Sequence, residues 1–94
     1  MNGIAFAWDK SKNKANLQKH GISFEEAESV FSDQYALLIA DPDHSETEDR
    51  FLLLGLSAKF RLLLVCHCFE ADDGLIRVIS CRKASKKERS LYRR

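Results

Sequence analysis

Apolar residues follow two different periods along the chain. Through the first third they recur at helical spacing, and from Tyr35 onward they alternate or gather in short runs. "IAFAW" (Ile4–Trp8) alternates apolar and small residues and predicts a short strand. Asp9 is placed to cap a helix reaching about His20, where Gly21 supplies a left-handed stop. "SFEE" then reads as a capping box: the Ser23 hydroxyl takes the Glu26 amide while the Glu26 side chain reaches back. Phe24, Ala27, Val30 and Phe31 fall on one face of a second helix ending near Asp33. The prediction is a helix–Gly–helix hairpin with a small apolar seam.

"YALLIAD" predicts a strand running into the turn "DPDH". Arg50–Ser57 and Arg61–Phe69 are apolar runs joined by "SAKF", which suits a hairpin; "EADDG" makes another turn before a last strand, Leu75–Lys83. Both parities of the two middle strands are largely apolar, so those strands are expected to be central and covered on both faces. Ser85 and Glu88 form a second capping box, starting a short helix in which Ala84, Glu88, Leu91 and Tyr92 share a face. Leu91 or Tyr92 is expected to dock it. With no repeat, linker or low-complexity segment, residues 1–94 form one α+β domain: a helical hairpin on an antiparallel sheet, with a short C-terminal helix.

Composition agrees with a globular chain: 45% hydrophobic residues, one Pro and four Gly. The apolar runs Leu52–Leu56 and Leu62–Cys66 are too short to cross a bilayer, so no membrane partner is expected. "MNGIAFAWDKSKNK" does not read as a secretory leader, and three cysteines suit a reducing compartment better than a disulfide framework. A cytoplasmic location is expected. The formal net charge of +1 hides an uneven distribution. Lys10, Lys12, Lys14 and Lys19 make the first helix basic, and Asp41, Asp43, Glu46, Glu48 and Asp49 make a mid-chain segment acidic. The end, "SCRKASKKERSLYRR", sets seven Lys or Arg against the single acid Glu88. Such asymmetry predicts a basic surface for an anionic partner.

Strict alternation places Arg61, Leu63, Val65, His67 and Phe69 on one face of their strand, opposite Leu62, Leu64, Cys66 and Cys68. In the last strand it groups Ile76, Val78, Ser80 and Arg82 against Leu75, Arg77, Ile79, Cys81 and Lys83. Arginines within apolar strands are costly unless a carboxylate or an anion meets them. Any one of them can pair with Glu48, Asp49 or Glu88. Jointly, Arg50, Arg61, Arg77, Arg82 and His67 are better explained by a phosphate-binding surface. Cleaving RNA without a metal needs a base for the 2′-hydroxyl, cations for the pentavalent phosphate and an acid for the leaving oxygen. Arg61, Arg82 and Lys83 offer the charge, His67 or His44 a proton exchanger, and Glu48 a base. "CHC" does not read as a zinc site, because Cys66 and Cys68 face away from His67; no metal or cofactor is expected. His20 reads as a cation at a helix C-terminus, and Trp8 as a core anchor.

"WDKSKNKANLQKHGISFEEAESVF", "DPDHSETEDRF" with a following Gly55, "RLLLV" and "ISCRKASKKER" resemble the BrnT family in order and spacing, from Trp8 to about Tyr92. The resemblance implies a RelE-like ribonuclease fold and an endoribonuclease toxin of a type II toxin–antitoxin system that inhibits translation. It also implies a BrnA-type antitoxin that neutralises the toxin, in a complex of two toxin and two antitoxin chains. Operator DNA would be contacted only through that complex. The matching positions are His44, Glu48, Arg50, Arg61, Ser80, Arg82, Lys83, Glu88 and Arg89. Arg61 and Arg82 are expected to stabilise the phosphate, with Glu48, His44 and His67 as proton-transfer candidates. Arg50, Arg77, Lys83, Lys86, Lys87 and Arg89 are expected to bind RNA. The same surface also suits a non-catalytic RNA- or protein-binding module, or a DNA-binding corepressor acting only with its antitoxin.

Overall fold

The computed structural model describes residues 4–40, 50–70 and 74–92. Local chemistry sets the helix ends where the sequence places them. The Asp9 carboxylate accepts from the amides of Ser11 (2.8 Å) and Lys12 (3.2 Å), starting α1 (Lys10–His20). Gly21, at φ 72°, closes it by donating its amide to Leu17 O. α2 (Phe24–Ser29) starts at Ser23, whose hydroxyl accepts the Glu26 amide, and a 3₁₀ turn (Val30–Ser32) extends it. The Glu26 side chain departs from the expected box: it turns away from Ser23 to meet Arg61 and Ser57. At α3 (Lys86–Arg89), Ser85 and Glu88 make both halves of the box.

The strands are β1 (Ala5–Ala7), β2 (Leu37–Ala40), β3 (Arg50–Leu56), β4 (Leu62–Glu70) and β5 (Leu75–Lys83). They form one sheet in the order β1-β5-β4-β3-β2, with β4 at the centre and β3 one strand from the edge. β2, β3, β4 and β5 pair antiparallel, but β1 runs parallel to β5, so the sheet is mixed where an antiparallel one was expected. The α1–α2 hairpin carries the chain from β1 at one edge to β2 at the other, and β1 thereby lies alongside a strand of its own direction.

Both faces are covered, as the double apolar parity requires. On the first, Ile22, Phe24, Ala27 and Val30 from the helical layer pack with Leu53, Leu63, Val65, Val78 and Cys81. On the second, Leu54, Leu64 and Ala84 form a smaller cluster with Leu52, Leu62 and Tyr92. Tyr92 is therefore the docking residue, its hydroxyl bonded to Asp33, while Leu91 stays exposed. Gly55 permits close approach of the 3₁₀ turn to β3, since a Cβ there would lie 2.8 Å from Val30 Cγ1. Asn16 is buried on α1 and bonds both backbone groups of Cys81, accepting from its amide (3.1 Å) and donating to its carbonyl (2.8 Å). It thus supplies β5 with hydrogen bonds beyond the reach of the short β1.

One irregularity changes which residues share a face. Cys66 pairs with Ser80, but the next residue, His67, pairs with Val78, leaving Ile79 as an extra residue in β5. The expected grouping of Ser80 and Arg82 with Ile76 and Val78 is therefore corrected. Ile76, Val78 and Cys81 face the helices, whereas Arg77, Ser80 and Arg82 share the second face.

Candidate nucleic-acid interface

Arg61 and Arg82 lie on opposite faces of the sheet, each held by a glutamate. Arg61 precedes β4 on the helical side. Its Nε donates to Glu26 Oε2 at 2.9 Å and its Nη2 to Glu26 Oε1 and to Gly21 O (3.1 Å). Ser57 Oγ adds a 2.7 Å bond to Glu26 Oε2. The Glu26 side chain is only 2% exposed. The Arg61 hydrogen bonds, reinforced by Ser57, hold its carboxyl below the usual range against the opposing effect of burial. Arg61 Nη1 takes part in none of these bonds.

Arg82 forms a two-pronged pair with Glu88, Nη1 to Oε1 at 2.8 Å and Nη2 to Oε2 at 2.9 Å. Glu88 Oε1 also accepts the Ser85 amide at 2.8 Å, so the carboxylate serves the guanidinium and the helix cap together. These contacts, Arg82 first, bring the Glu88 carboxyl down from 4.5 to about 2. The pair faces water more than its counterpart does: the Arg82 side chain is 44% exposed and that of Glu88 25%.

The Ile79 bulge makes the second face cationic. Cys68 pairs with Arg50 on one side and Arg77 on the other, putting both arginines on the face that carries Ser80 and Arg82. The exposed Lys83 on β5, with Lys86, Lys87 and Arg89 on α3, continues this surface around the end of the sheet. There a cleft of about 300 Å³ is lined by Leu56, Phe60, Arg61, Leu62, Lys83 and Arg89.

His67 is placed elsewhere. It is fully buried, with its ring centroid 4.8 Å from Phe31, 5.3 Å from Phe69 and 6.2 Å from Phe51. Burial lowers its pKa, so the imidazole is neutral at pH 7. Nδ1 lies 3.3 Å from Val65 O; with the proton on that atom, Nε2, which has no partner among the described residues, is an acceptor. No surface phosphate can reach this ring. His44 and Glu48 lie outside the described residues. Cys81 is buried too, its thiol pushed up to about 12 by desolvation. No helix among the described residues is long and apolar enough to cross a membrane.

Sequence reasoning missed Glu26 and Ser57 as the holders of Arg61. An acid amid Phe24, Ala27 and Val30 on a short helix was the available signal, and the capping motif explained it away. It missed Asn16 as well, which carries no motif.

A family profile described as the ribonuclease toxin BrnT of type II toxin–antitoxin systems matches residues 8–88. Among solved structures, the chain is similar to the 1.1 Å crystal structure of the Brucella abortus ribonuclease toxin BrnT. The TM-score is 0.69 at 24% identity, over 88% of this chain and 99% of that one. No curated protein matches the chain. The structural likeness carries the fold, with its mixed sheet, helical layer and short C-terminal helix.

Proposed function

Because the chain belongs to the BrnT family of type II toxin–antitoxin ribonuclease toxins, we propose that it is an endoribonuclease that inhibits translation by cleaving RNA without a metal. The observation that carries this reading is the second face of the sheet, where the bulge groups Arg77, Ser80 and Arg82 with Arg50 beside the basic α3. A ribose–phosphate backbone needs such a run of cations, and the 2′-hydroxyl supplies the nucleophile itself. Arg82 stabilises the pentavalent phosphate after exchanging part of its Glu88 fork for phosphate oxygens. Glu88 is a poor base at neutral pH with its carboxyl at about 2, which leaves His44 and Glu48 for proton transfer. Arg61 acts from the end cleft, and Lys83, Lys86, Lys87 and Arg89 hold flanking phosphates. A BrnA-type antitoxin covers this face in a complex of two toxin and two antitoxin chains, which alone contacts operator DNA. The complex is cytoplasmic.

The test is to induce the chain alone, map new RNA 5′ ends, and repeat the cleavage in vitro with chelator present. Arg82→Ala is expected to lose ~100- to 1000-fold in rate. Arg82→Lys is expected to recover little, lacking the planar fork. Growth inhibition without new 5′ ends would select the non-catalytic module instead. The closed Arg82–Glu88 fork, which occupies two guanidinium nitrogens, is the observation that favours that second reading.

A further inference from the structure

The turn between β3 and β4 carries the one non-glycine residue with positive φ among the described residues, Phe60 at 62°. A bulky side chain is unfavourable there, and glycine is the residue the conformation favours. The turn is nonetheless well closed, with the Phe60 amide donating to Ser57 O and the Ser57 amide to Arg61 O, both at 2.9 Å. The ring is 81% exposed and belongs to neither apolar cluster. The chain thus accepts backbone strain and an apolar ring in water with no packing in return.

The surroundings supply a reason. Phe60 lines the end cleft with Leu56 and Leu62, next to Arg61, Lys83 and Arg89. The nearby carboxylates are already engaged: Glu26 by Arg61 and Ser57, Glu88 by Arg82. Among the described residues, Lys83 and Arg89 have no carboxylate partner. An aromatic ring beside unneutralised cations is the chemistry of single-stranded nucleic-acid sites, where bases stack and phosphates pair. We propose that Phe60 is a base-stacking residue: the cleft takes one unpaired nucleotide, its base against the Phe60 ring and its phosphate toward Lys83 and Arg89. This subsite rests on the ribonuclease reading and extends it to single-stranded RNA.

The probe is a fluorescein-labelled, single-stranded 2′-O-methyl RNA octamer, which binds but cannot be cleaved, titrated into the full chain and read by anisotropy. Phe60→Gly is expected to raise the melting temperature, because the left-handed backbone is relieved. It is also expected to weaken binding roughly 5- to 150-fold, the range for losing one stacked base. Phe60→Tyr and Phe60→Trp should bind within about twofold of the wild type, since both keep a stacking ring. The dependence on salt should stay unchanged in Phe60→Gly, because no phosphate contact is lost, whereas Lys83→Ala should make it shallower. Equal binding by wild type and Phe60→Gly would overturn the stacking role and leave the ribonuclease reading standing. Failure of the wild type to bind the octamer would overturn both. A Phe60→Gly defect confined to antitoxin binding would assign the ring to an acidic protein segment and likewise overturn the proposal.

Discussion

Each face of the sheet holds an arginine in a two-pronged pair with a glutamate, and the two pairs differ chiefly in how deeply the carboxylate is buried. On the helical face, Glu26 is sequestered from water and receives bonds from Arg61 and Ser57, joining α2 to the β3–β4 turn. On the second face, Glu88 and Arg82 stand in partial contact with water, six residues apart in sequence. A buried carboxylate cannot lose its counterion cheaply, so the first pair fixes the geometry of the fold. A half-exposed fork is less costly to open than a buried one, so the second pair is the one that can trade its partner for an anion.

The strongest way to break this comparison is to remove Glu26. Glu26→Ala is expected to cost about 2–4 kcal/mol, below the full range for a buried pair because Arg61 keeps some access to water. Urea denaturation measures it, and a cost under about 0.5 kcal/mol, typical of surface substitutions, would erase the distinction between the faces.

Glu88→Ala should cost only ~1 kcal/mol, a value reduced for the exposure of its partner and including a share from the lost cap. The same pair has a signature in pH. The Glu88 carboxyl is depressed in the fold, so its stabilisation is present above the ordinary value of 4.5 and is lost as pH falls toward about 2. Urea midpoints measured from pH 6 to pH 2 should therefore decline less steeply in Glu88→Ala than in the wild type. The sensitivity that remains includes the Glu26 contribution, which has the same sign.

The smallest effect is expected at the titratable group that the helical face holds without a charge partner. His67→Leu replaces a neutral imidazole whose Nε2 lacks a partner among the described residues, in a nest of phenylalanines. A change within about 1 kcal/mol, with RNA cleavage retained, is expected. Loss of cleavage in a fully folded variant would return His67 to the reaction.

What could be read from the sequence follows the range of the interactions. The Asp9, Gly21 and Ser85 signals involve neighbours within a turn, and the structure forms them as read. The β5 range of Leu75–Lys83 was legible because its apolar run is bounded by a glycine turn and a capping serine. The bulge was not, since Arg77 through Arg82 alternates acceptably in either phase and only pairing with β4 shows Ile79 to be the extra residue. Glu26 was misread for the same reason: the local box competes with a guanidinium 35 residues away, and burial favours the charged partner. The parallel partner of β1 was equally hidden, because a three-residue strand carries no mark of direction. At the candidate site the cations were legible as a set, but their division between two faces was not.

The placement of β1 beside β5 also sets the timing of folding. Ala5 registers with Leu75, and among the described residues no nearer strand flanks β1. Chains leave the ribosome at about 5–20 residues per second, so β1 waits several seconds for its neighbour to emerge. Contacts this distant in sequence close slowly even in a released chain, because loop entropy is lost before they form. β5 and α3 carry Arg77, Arg82, Lys83 and Arg89, so the cationic face is assembled at the same late stage as the sheet edge. A nascent chain therefore packs its helical hairpin and gathers these four cations only when β5 has emerged.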